Sequence, residues 1–216
     1  MAPIEAGPVG ILGGTFDPVH LGHLRLAEEA RQFLGLVRVL WIPAGRPPHR
    51  GTPTAGADDR LAMTGRAIAG NPAFAIDDAE VRADVPSYTV STLERLRAAL
   101  GPDRPLVLLM GADAFRGLPT WHRWREVFGL AHLGVATRPG HELRENGMAE
   151  DLAGEWRARR VPALAPTPAG GIASFPMTAL DISATSVRRL LAAGASPRYL
   201  IPDGVLDYIR SHSLYR

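Results

Sequence analysis

Short apolar runs alternate with longer amphipathic stretches along most of the chain. Runs of this kind are typical of strands that are buried on both faces of a parallel sheet. The sequence predicts strands at residues 8–12, 37–42, 74–76, 105–110, 132–136 and 171–175. The spacing predicts helices over residues 21–34, 58–69 (with Asp58 as N-cap), 90–100 and 145–160, a short helix ending at Ala193, and a last helix over 205–212. Strands that alternate with helices predict a doubly wound α/β sheet.

Composition narrows the class of protein. With 216 residues, of which 46% are hydrophobic, the chain can bury one sizeable core, and we predict a single domain. The absence of cysteine excludes disulfides, thiolate catalysis and cysteine-based zinc sites. No stretch approaches a membrane span and no secretory signal is evident, so we expect a cytoplasmic protein with no membrane partner. The formal net charge is only +2, without a basic block, so we expect no nucleic-acid partner.

The stretch from Gly13 to His23 carries the strongest chemical signal. It follows the first predicted strand and precedes the first predicted helix. Gly13 and Gly14 permit a tight turn and the close approach of a ligand to bare amides, and a helix N-terminus favours anions. His20 and His23 are spaced so that both side chains can lie on one side of the helix start. The pattern predicts a phosphate-binding turn that carries two imidazoles.

Other interpretations of this stretch are weaker. An arbitrary pair of histidines is more often one core and one surface side chain, but the position after a glycine turn favours function. A zinc site would need a third ligand, which Asp17 could supply, yet nothing else in the sequence has ligand spacing. The chain has no lysine for a Walker A loop, and its glycines do not follow G-x-G-x-x-G spacing. The predicted phosphate site therefore belongs to neither of those nucleotide-binding classes.

Two further stretches are candidates for ligand binding. Ser183, Thr185 and Arg188 precede or open a predicted helix, where hydroxyls, amides and a guanidinium can reach an anion. Taken alone, this segment is better explained as an ordinary N-cap followed by a surface arginine. Because a first helix-start anion site is already predicted at residues 13–23, anion binding becomes the favoured interpretation here as well. Gly111 to Asp113 form a second glycine turn after a strand, and ligands bind at the carboxyl ends of strands in open α/β sheets.

The residues from Gly13 to His23 read GGTFDPVHLGH, which resembles the GGTFDPxHxGH signature of the bacterial nicotinate mononucleotide adenylyltransferases. These enzymes form part of the HxGH nucleotidyltransferase superfamily. Further segments resemble family motifs: PPHR at 47–50, PSYT at 86–89, GAD at 111–113, PTW at 119–121, RPG at 138–140 and ISATSVR at 182–188. The resemblance covers nearly the whole chain.

The resemblance implies a Rossmann-like doubly wound parallel sheet of the nucleotidyltransferase type, in three α/β/α layers. It implies one nucleotidyltransferase domain over residues 1–216, with the ISxTxxR segment and the C-terminal helices (about 176–216) packed on it. The implied reaction joins ATP to nicotinate mononucleotide and gives deamido-NAD and pyrophosphate, in NAD synthesis. Because the mononucleotide phosphate is already a nucleophile, direct in-line attack needs no covalent intermediate.

The resemblance also implies roles for individual residues. His20 and His23 are the catalytic residues and bind the ATP phosphates, with His23 in contact with the transferred group. The other ATP-binding residues are Gly13, Gly14, Thr15, Phe16, Gly111, Asp113, Arg138, Ile182, Ser183, Thr185 and Arg188. The acceptor is bound by Thr15, His49, Arg50, Ser87, Tyr88, Thr89, Trp121 and His122, with Trp121 stacked on the pyridine ring. Magnesium is expected to arrive with ATP, bound by phosphate oxygens and water, without a protein metal site.

Rival functions come from two classes. One is another member of the superfamily: a nicotinamide-preferring, phosphopantetheine or cytidylyl-transferring enzyme. The other is a nucleotide-binding regulatory module that has lost catalysis, which the intact histidines and ISxTxxR segment disfavour. For quaternary structure we expect a monomer or a small homo-oligomer.

Overall fold

The strands of the computed structural model, which describes residues 6–48, 51–137 and 143–216, form one parallel sheet. The strand order is β3-β2-β1-β4-β5-β6. The strands are β1 (Val9–Gly14), β2 (Arg38–Pro43), β3 (Phe74–Ile76), β4 (Leu106–Gly111), β5 (His132–Thr137) and β6 (Ile172–Pro176). All the predicted strands are present, and the predicted doubly wound α/β fold is confirmed. In such sheets, ligands bind outside the carboxyl end of a strand where the strand order reverses, and β1 is such a strand.

The α-helices flank this sheet. They are α1 (Leu21–Phe33), α2 (Ala57–Ile68), α3 (Ala79–Arg82), α4 (Thr89–Leu100), α5 (Ala112–Arg116), α6 (Val127–Leu130), α7 (Glu150–Arg159), α8 (Ala184–Ala192) and α9 (Asp203–Ser211). The short helices α3, α5 and α6 were not predicted, because four or five residues carry too little periodicity to be recognised.

Three helix starts were predicted wrongly, one of them that of α9, which begins at Asp203 and not at residue 205. Gly56 is the N-cap of α2, so Asp58 lies in the first turn, where a carboxylate interacts favourably with the helix dipole. The helix predicted from residue 145 begins only at Glu150. Gly147 has φ of 83°, a left-handed conformation that interrupts a right-handed helix.

The central strands are continuous apolar runs because both faces are covered. Residues 106–110 of β4 are all buried, and β4 pairs with β1 in the register Val9↔Leu106 and Ile11↔Leu108. On the other side, β4 pairs with β5 in the register Leu108↔Leu133. A strand with hydrogen-bonded neighbours on both edges and helices above and below has no polar face to present.

The described residues separate into two compact units. The first unit comprises the described parts of Met1–Leu12, Ala27–Leu40 and Tyr88–Ala179, and in it α4 packs on α6. The second comprises Gly13–Leu26, the described part of Trp41–Ser87, and Leu180–Arg216, and in it α2 packs on α9. The single-domain organisation stays a prediction. No helix within the described ranges combines the length and the apolar character needed to cross a bilayer.

Candidate active site

The turn that follows β1 has a left-handed residue at its centre. Phe16 has φ of 50°, and its side chain is buried against Trp41 (ring centroids 5.4 Å apart) and His23 (5.1 Å). Gly14 makes room for that ring, because a Cβ at Gly14 would lie 2.7 Å from the Phe16 ring. Packing therefore holds an unfavourable backbone conformation in place.

Asp17 is the buried anchor of the same turn. Its carboxylate accepts hydrogen bonds from the amides of Thr54 (2.7 Å) and Ala55 (3.0 Å) and from the hydroxyl of Tyr215 (2.7 Å). Burial, followed by the hydrogen bond to Asp17, raises the pKa of Tyr215, so this hydroxyl stays a donor. The part of the chain that the structure describes has no group of three or more His, Asp or Glu side chains suited to a metal ion, so the zinc interpretation finds no ligand set there.

His20 and His23 lie together at the start of α1. Their rings stack with centroids 3.7 Å apart, and the His20 amide donates to Nδ1 of His23 at 3.2 Å. A neutral His23 therefore carries its ring proton on Nε2. A Cβ at Gly22 would lie 3.0 Å from Nδ1 of His20, so glycine between the two histidines lets the rings approach.

The two imidazoles differ in environment. His20 is 7% exposed, its Nδ1 is buried without a hydrogen-bond partner, and burial lowers its pKa to about 4. His20 is therefore neutral at pH 7. His23 is only partly buried. The buried ring can donate a hydrogen bond to an anion, and the partly buried ring can approach a ligand from the surface.

The ISxTxxR segment lies against this turn within the second unit. Ser183 is the N-cap of α8, and it forms a capping box with Ser186. Arg188 donates from Nη1 to the Asp17 carbonyl at 2.6 Å, and its Nη2 lies 3.4 Å from Oγ1 of Thr185. The carbonyl of Ile182 is 3.8 Å from the position of a Cβ on Gly22. The structure thus brings together the two motifs that were predicted to bind ATP phosphates.

The predicted acceptor residues are distributed differently. In the first unit, Tyr88 and His122 pack ring against ring with centroids 4.5 Å apart, and Thr89 is the first residue of α4. Trp121 follows a short 3-10 helix and is half-buried. In the second unit, Oγ of Ser87 accepts from the amides of Gly45 and Arg46, so this side chain braces a loop.

The second predicted glycine turn is open. Gly111 is the N-cap of α5, and the Asp113 side chain is 96% exposed, with its carboxylate 3.7 Å from the Arg116 guanidinium. His49, Arg50 and Arg138 lie outside the described residues.

Sequence reasoning missed Arg60 as a residue of the turn. This arginine is 1% exposed and donates to the carbonyls of Thr15, Ala44, Gly45 and Ala55. The sequence did carry one indication: Arg60 lies three and four residues before Met63 and Thr64. This helical spacing places the arginine on the buried face of α2. Tyr215 had no comparable signal.

Comparison with known proteins agrees with this geometry. A family model described as cytidylyltransferase-like matches residues 11–190. A protein of Dechloromonas aromatica named probable nicotinate-nucleotide adenylyltransferase is 58% identical over 212 residues, which cover 97% of this chain and 98% of that protein. A protein of the same name from Pseudomonas putida strain W619 is 48% identical and covers 96% of this chain, with 94% of its own length matched.

A solved structure of nicotinic acid mononucleotide adenylyltransferase from Plasmodium falciparum, complexed with NaAD, is similar in fold. It has a TM-score of 0.73 at 15% sequence identity, and the match covers 97% of each chain. At that identity the structural match supports the fold only. The family model and the sequence relatives extend over both predicted phosphate motifs, and the chain therefore belongs to the nicotinate-nucleotide adenylyltransferase family of the cytidylyltransferase-like nucleotidyltransferases.

Proposed function

We propose that this enzyme transfers the adenylyl group of ATP to nicotinate mononucleotide, giving deamido-NAD and pyrophosphate. The observation that carries the proposal is the contact between Arg188 and the Asp17 carbonyl at 2.6 Å. It joins a guanidinium and the start of α8 to a turn with two stacked imidazoles and the start of α1. Such a cluster of donors suits a polyphosphate better than a neutral ligand.

The chemistry requires alignment and charge neutralisation. A phosphate oxygen of the mononucleotide attacks the α-phosphorus of ATP, the new P–O bond forms, and the bond to the β-phosphate oxygen breaks with release of pyrophosphate. Negative charge grows on the leaving pyrophosphate during this step, so pre-organised donors lower the barrier. The proposed path has no covalent enzyme intermediate, which fits the engagement of the Ser183 hydroxyl in a capping box.

The histidines take different parts in this step. His20 is neutral because burial lowers its pKa to about 4, so it acts as a hydrogen-bond donor and not as a standing positive charge. His23 carries its neutral-form proton on Nε2 and contacts the transferred phosphoryl group. Arg188, held by the Asp17 carbonyl, supplies the fixed positive charge on the β/γ side.

We propose that magnesium enters this site as a partner of the nucleotide. The carboxylate of Asp17 accepts hydrogen bonds from three donors, and no cluster of metal-binding side chains occurs among the described residues. We propose that phosphate oxygens and water hold Mg²⁺ when ATP binds, where the ion neutralises phosphate charge.

The acceptor assignment rests on the sequence relatives and on side chains of the first unit. Trp121 is half-buried, so part of its side chain is exposed, and we propose that its ring stacks on the pyridine. Tyr88 and His122 support each other through their ring contact. Thr89 and neighbouring main-chain amides bind the nicotinate side.

Initial rates with a panel of substrates test the proposal. Nicotinate mononucleotide with ATP should give the highest kcat/KM, compared with nicotinamide mononucleotide, phosphopantetheine and CTP, and pyrophosphate should be released with every turnover. A clear preference for another acceptor or for CTP would contradict the proposed substrates. ATP binding without pyrophosphate release would instead identify a regulatory module.

A further inference from the structure

Arg60 ties three loop segments of the second unit together. Its Nη1 donates to the carbonyls of Thr15 (2.8 Å) and Ala44 (2.6 Å), its Nη2 to that of Gly45 (3.1 Å) and its Nε to that of Ala55 (3.2 Å). The side chain is fully enclosed, at 1% exposure. A planar guanidinium has donors in fixed directions. By binding all four carbonyl oxygens, Arg60 therefore fixes the positions of these carbonyls relative to one another.

The hydrogen bond to Thr15 also orients an amide. The Thr15–Phe16 peptide is trans, and in a planar trans peptide the C=O and the N–H point in opposite directions. Because the Thr15 carbonyl points at Arg60, the Phe16 amide points away from it. The preceding peptide is held in the same way, because the Gly14 carbonyl accepts from the Ala44 amide at 2.9 Å.

Neither of the amides so oriented has an acceptor among the residues that the structure describes. Within residues 6–48, 51–137 and 143–216, no hydrogen bond joins the Thr15 or Phe16 amide to the protein. Phe16 is 3% exposed, and a buried amide without a partner is costly unless a ligand or water accepts from it. The position after β1, at the start of α1, is where an anion is expected to be that acceptor.

Asp17 completes the frame from the other side. Its carboxylate accepts from the amide of Ala55, whose carbonyl accepts from Arg60, so Ala55 is held at both its polar groups. The turn is therefore fixed at Thr15 by Arg60 and at Asp17 by the amides of residues 54 and 55.

We propose that Arg60 is a positioning residue of the adenylyl-transfer site: by holding the Thr15 carbonyl, it aims the Phe16 amide at a phosphate of the bound nucleotide. Arg60 does not touch the substrate itself. The inference rests on the proposed function, in which this turn binds the phosphates of ATP.

Arg97 provides a matched control. It is a second arginine that donates to a set of loop carbonyls, at Gly101, Pro102, Arg104, Leu130 and Pro168, all within the first unit. Both arginines lose several hydrogen bonds when replaced by lysine, whose single ammonium cannot span the same acceptors. Of these two arginines, Arg60 contacts the turn after β1, at Thr15, whereas the carbonyls bound by Arg97 belong to the first unit.

The test compares Arg60→Lys and Arg97→Lys in the full-length protein, well below the melting temperature of each. We expect Arg60→Lys to lower kcat by about a hundredfold with a smaller change in both KM values, because a misplaced donor weakens transition-state binding. Arg97→Lys should lower the melting temperature and leave kcat unchanged. Equal losses of kcat in the two variants, or an unchanged kcat in Arg60→Lys, would overturn the proposal.

A binding measurement separates this inference from the proposed reaction. In ¹⁵N-labelled wild-type protein, inorganic pyrophosphate should shift the amide resonances of Thr15 and Phe16, and Arg60→Lys should lose that response while Arg97→Lys keeps it. If wild-type protein fails to use nicotinate mononucleotide, the proposed function falls while this titration still tests Arg60. If Arg60→Lys does not fold, the wild-type titration decides, because an unresponsive Phe16 amide would overturn the inference.

Discussion

Two glycine turns follow neighbouring strands of the sheet, and each contains an aspartate, yet they are built in opposite ways. After β1, Asp17 is 7% exposed and accepts hydrogen bonds from two amides and a tyrosine hydroxyl. After β4, the Asp113 side chain is 96% exposed, and its carboxylate lies 3.7 Å from the Arg116 guanidinium. Each unit contributes one of these turns.

The difference separates two ways of preparing a binding site. The β1 turn is fixed by buried hydrogen bonds within the protein, so its donors are pre-organised to act on charge that develops during the reaction. The β4 turn offers an exposed carboxylate that lies 3.7 Å from Arg116, and such a carboxylate is suited to ground-state recognition of a ligand hydroxyl. Replacing a residue of the first turn should therefore lower stability and kcat, and replacing Asp113 in the second should raise KM.

Replacing the two aspartates gives the largest contrast. Asp17→Asn places an amide donor against backbone donors in a buried position, and we expect a loss of about 3 to 4 kcal/mol in the free energy of unfolding. Asp113→Asn, the matched control, should change that free energy by less than about 0.5 kcal/mol because the side chain is exposed. Urea unfolding measures both. Similar losses in the two variants would remove the distinction between a buried and an open turn.

The buried turn also predicts a pH dependence of stability. The pKa of His20 is lowered from 6.5 to about 4 by burial, so below pH 6.5 the unfolded state binds a proton that the folded state does not. The free energy of unfolding should fall by up to about 3 kcal/mol as the pH drops from 7 to 4, with no further loss from this group at lower pH.

Comparison with a variant that lacks only the His20 imidazole isolates this effect. His132 also has a lowered pKa because of burial, so part of the acid sensitivity comes from the first unit. His20→Asn should flatten the dependence on pH between 7 and 4 in urea unfolding while the contribution of His132 remains. A variant with the same slope as the wild type would show that His20 titrates normally.

The catalytic side of the comparison is tested by His23→Ala. We expect kcat to fall by about a hundredfold, by analogy with the removal of one pre-organised donor to the transition state. His212→Ala, which removes an exposed histidine stacked on Tyr208, serves as the control and should keep its kcat. Unchanged turnover in His23→Ala would refute contact with the transferred group.

The smallest expected effect concerns the region after the β4 turn. Trp121→Ala should raise the acceptor KM by about tenfold and leave the ATP KM nearly unchanged, because ground-state stacking is lost. Trp121→Phe keeps an aromatic face and should recover most of the acceptor affinity. Steady-state kinetics with both substrates varied provides the readout, and an equal rise in both KM values would count against stacking.

Local patterns predicted most of the elements and few of their boundaries. The run at residues 105–110 was recognised as a strand because a doubly covered strand is apolar throughout, and β4 occupies it. Asp58 was misassigned because an N-cap and a first-turn acid have the same composition, and only the backbone of Gly56 distinguishes them. The roles of His49, Arg50 and Arg138 stay predictions, since these residues lie outside the described ranges.

The sequence by itself determined the order of strands and helices, the glycine turn with its two histidines and the family to which the chain belongs, because these depend on periodicity and on contiguous motifs. Only the tertiary structure decided how the turn is held. Tyr215 and Asp17 are 198 residues apart, and Arg188 and Asp17 are 171 apart. A hydrogen bond between such residues depends on where folding brings each donor and on which way each carbonyl points. No local pattern records those directions, so Arg60 appeared in the sequence only as a polar residue on an apolar helix face.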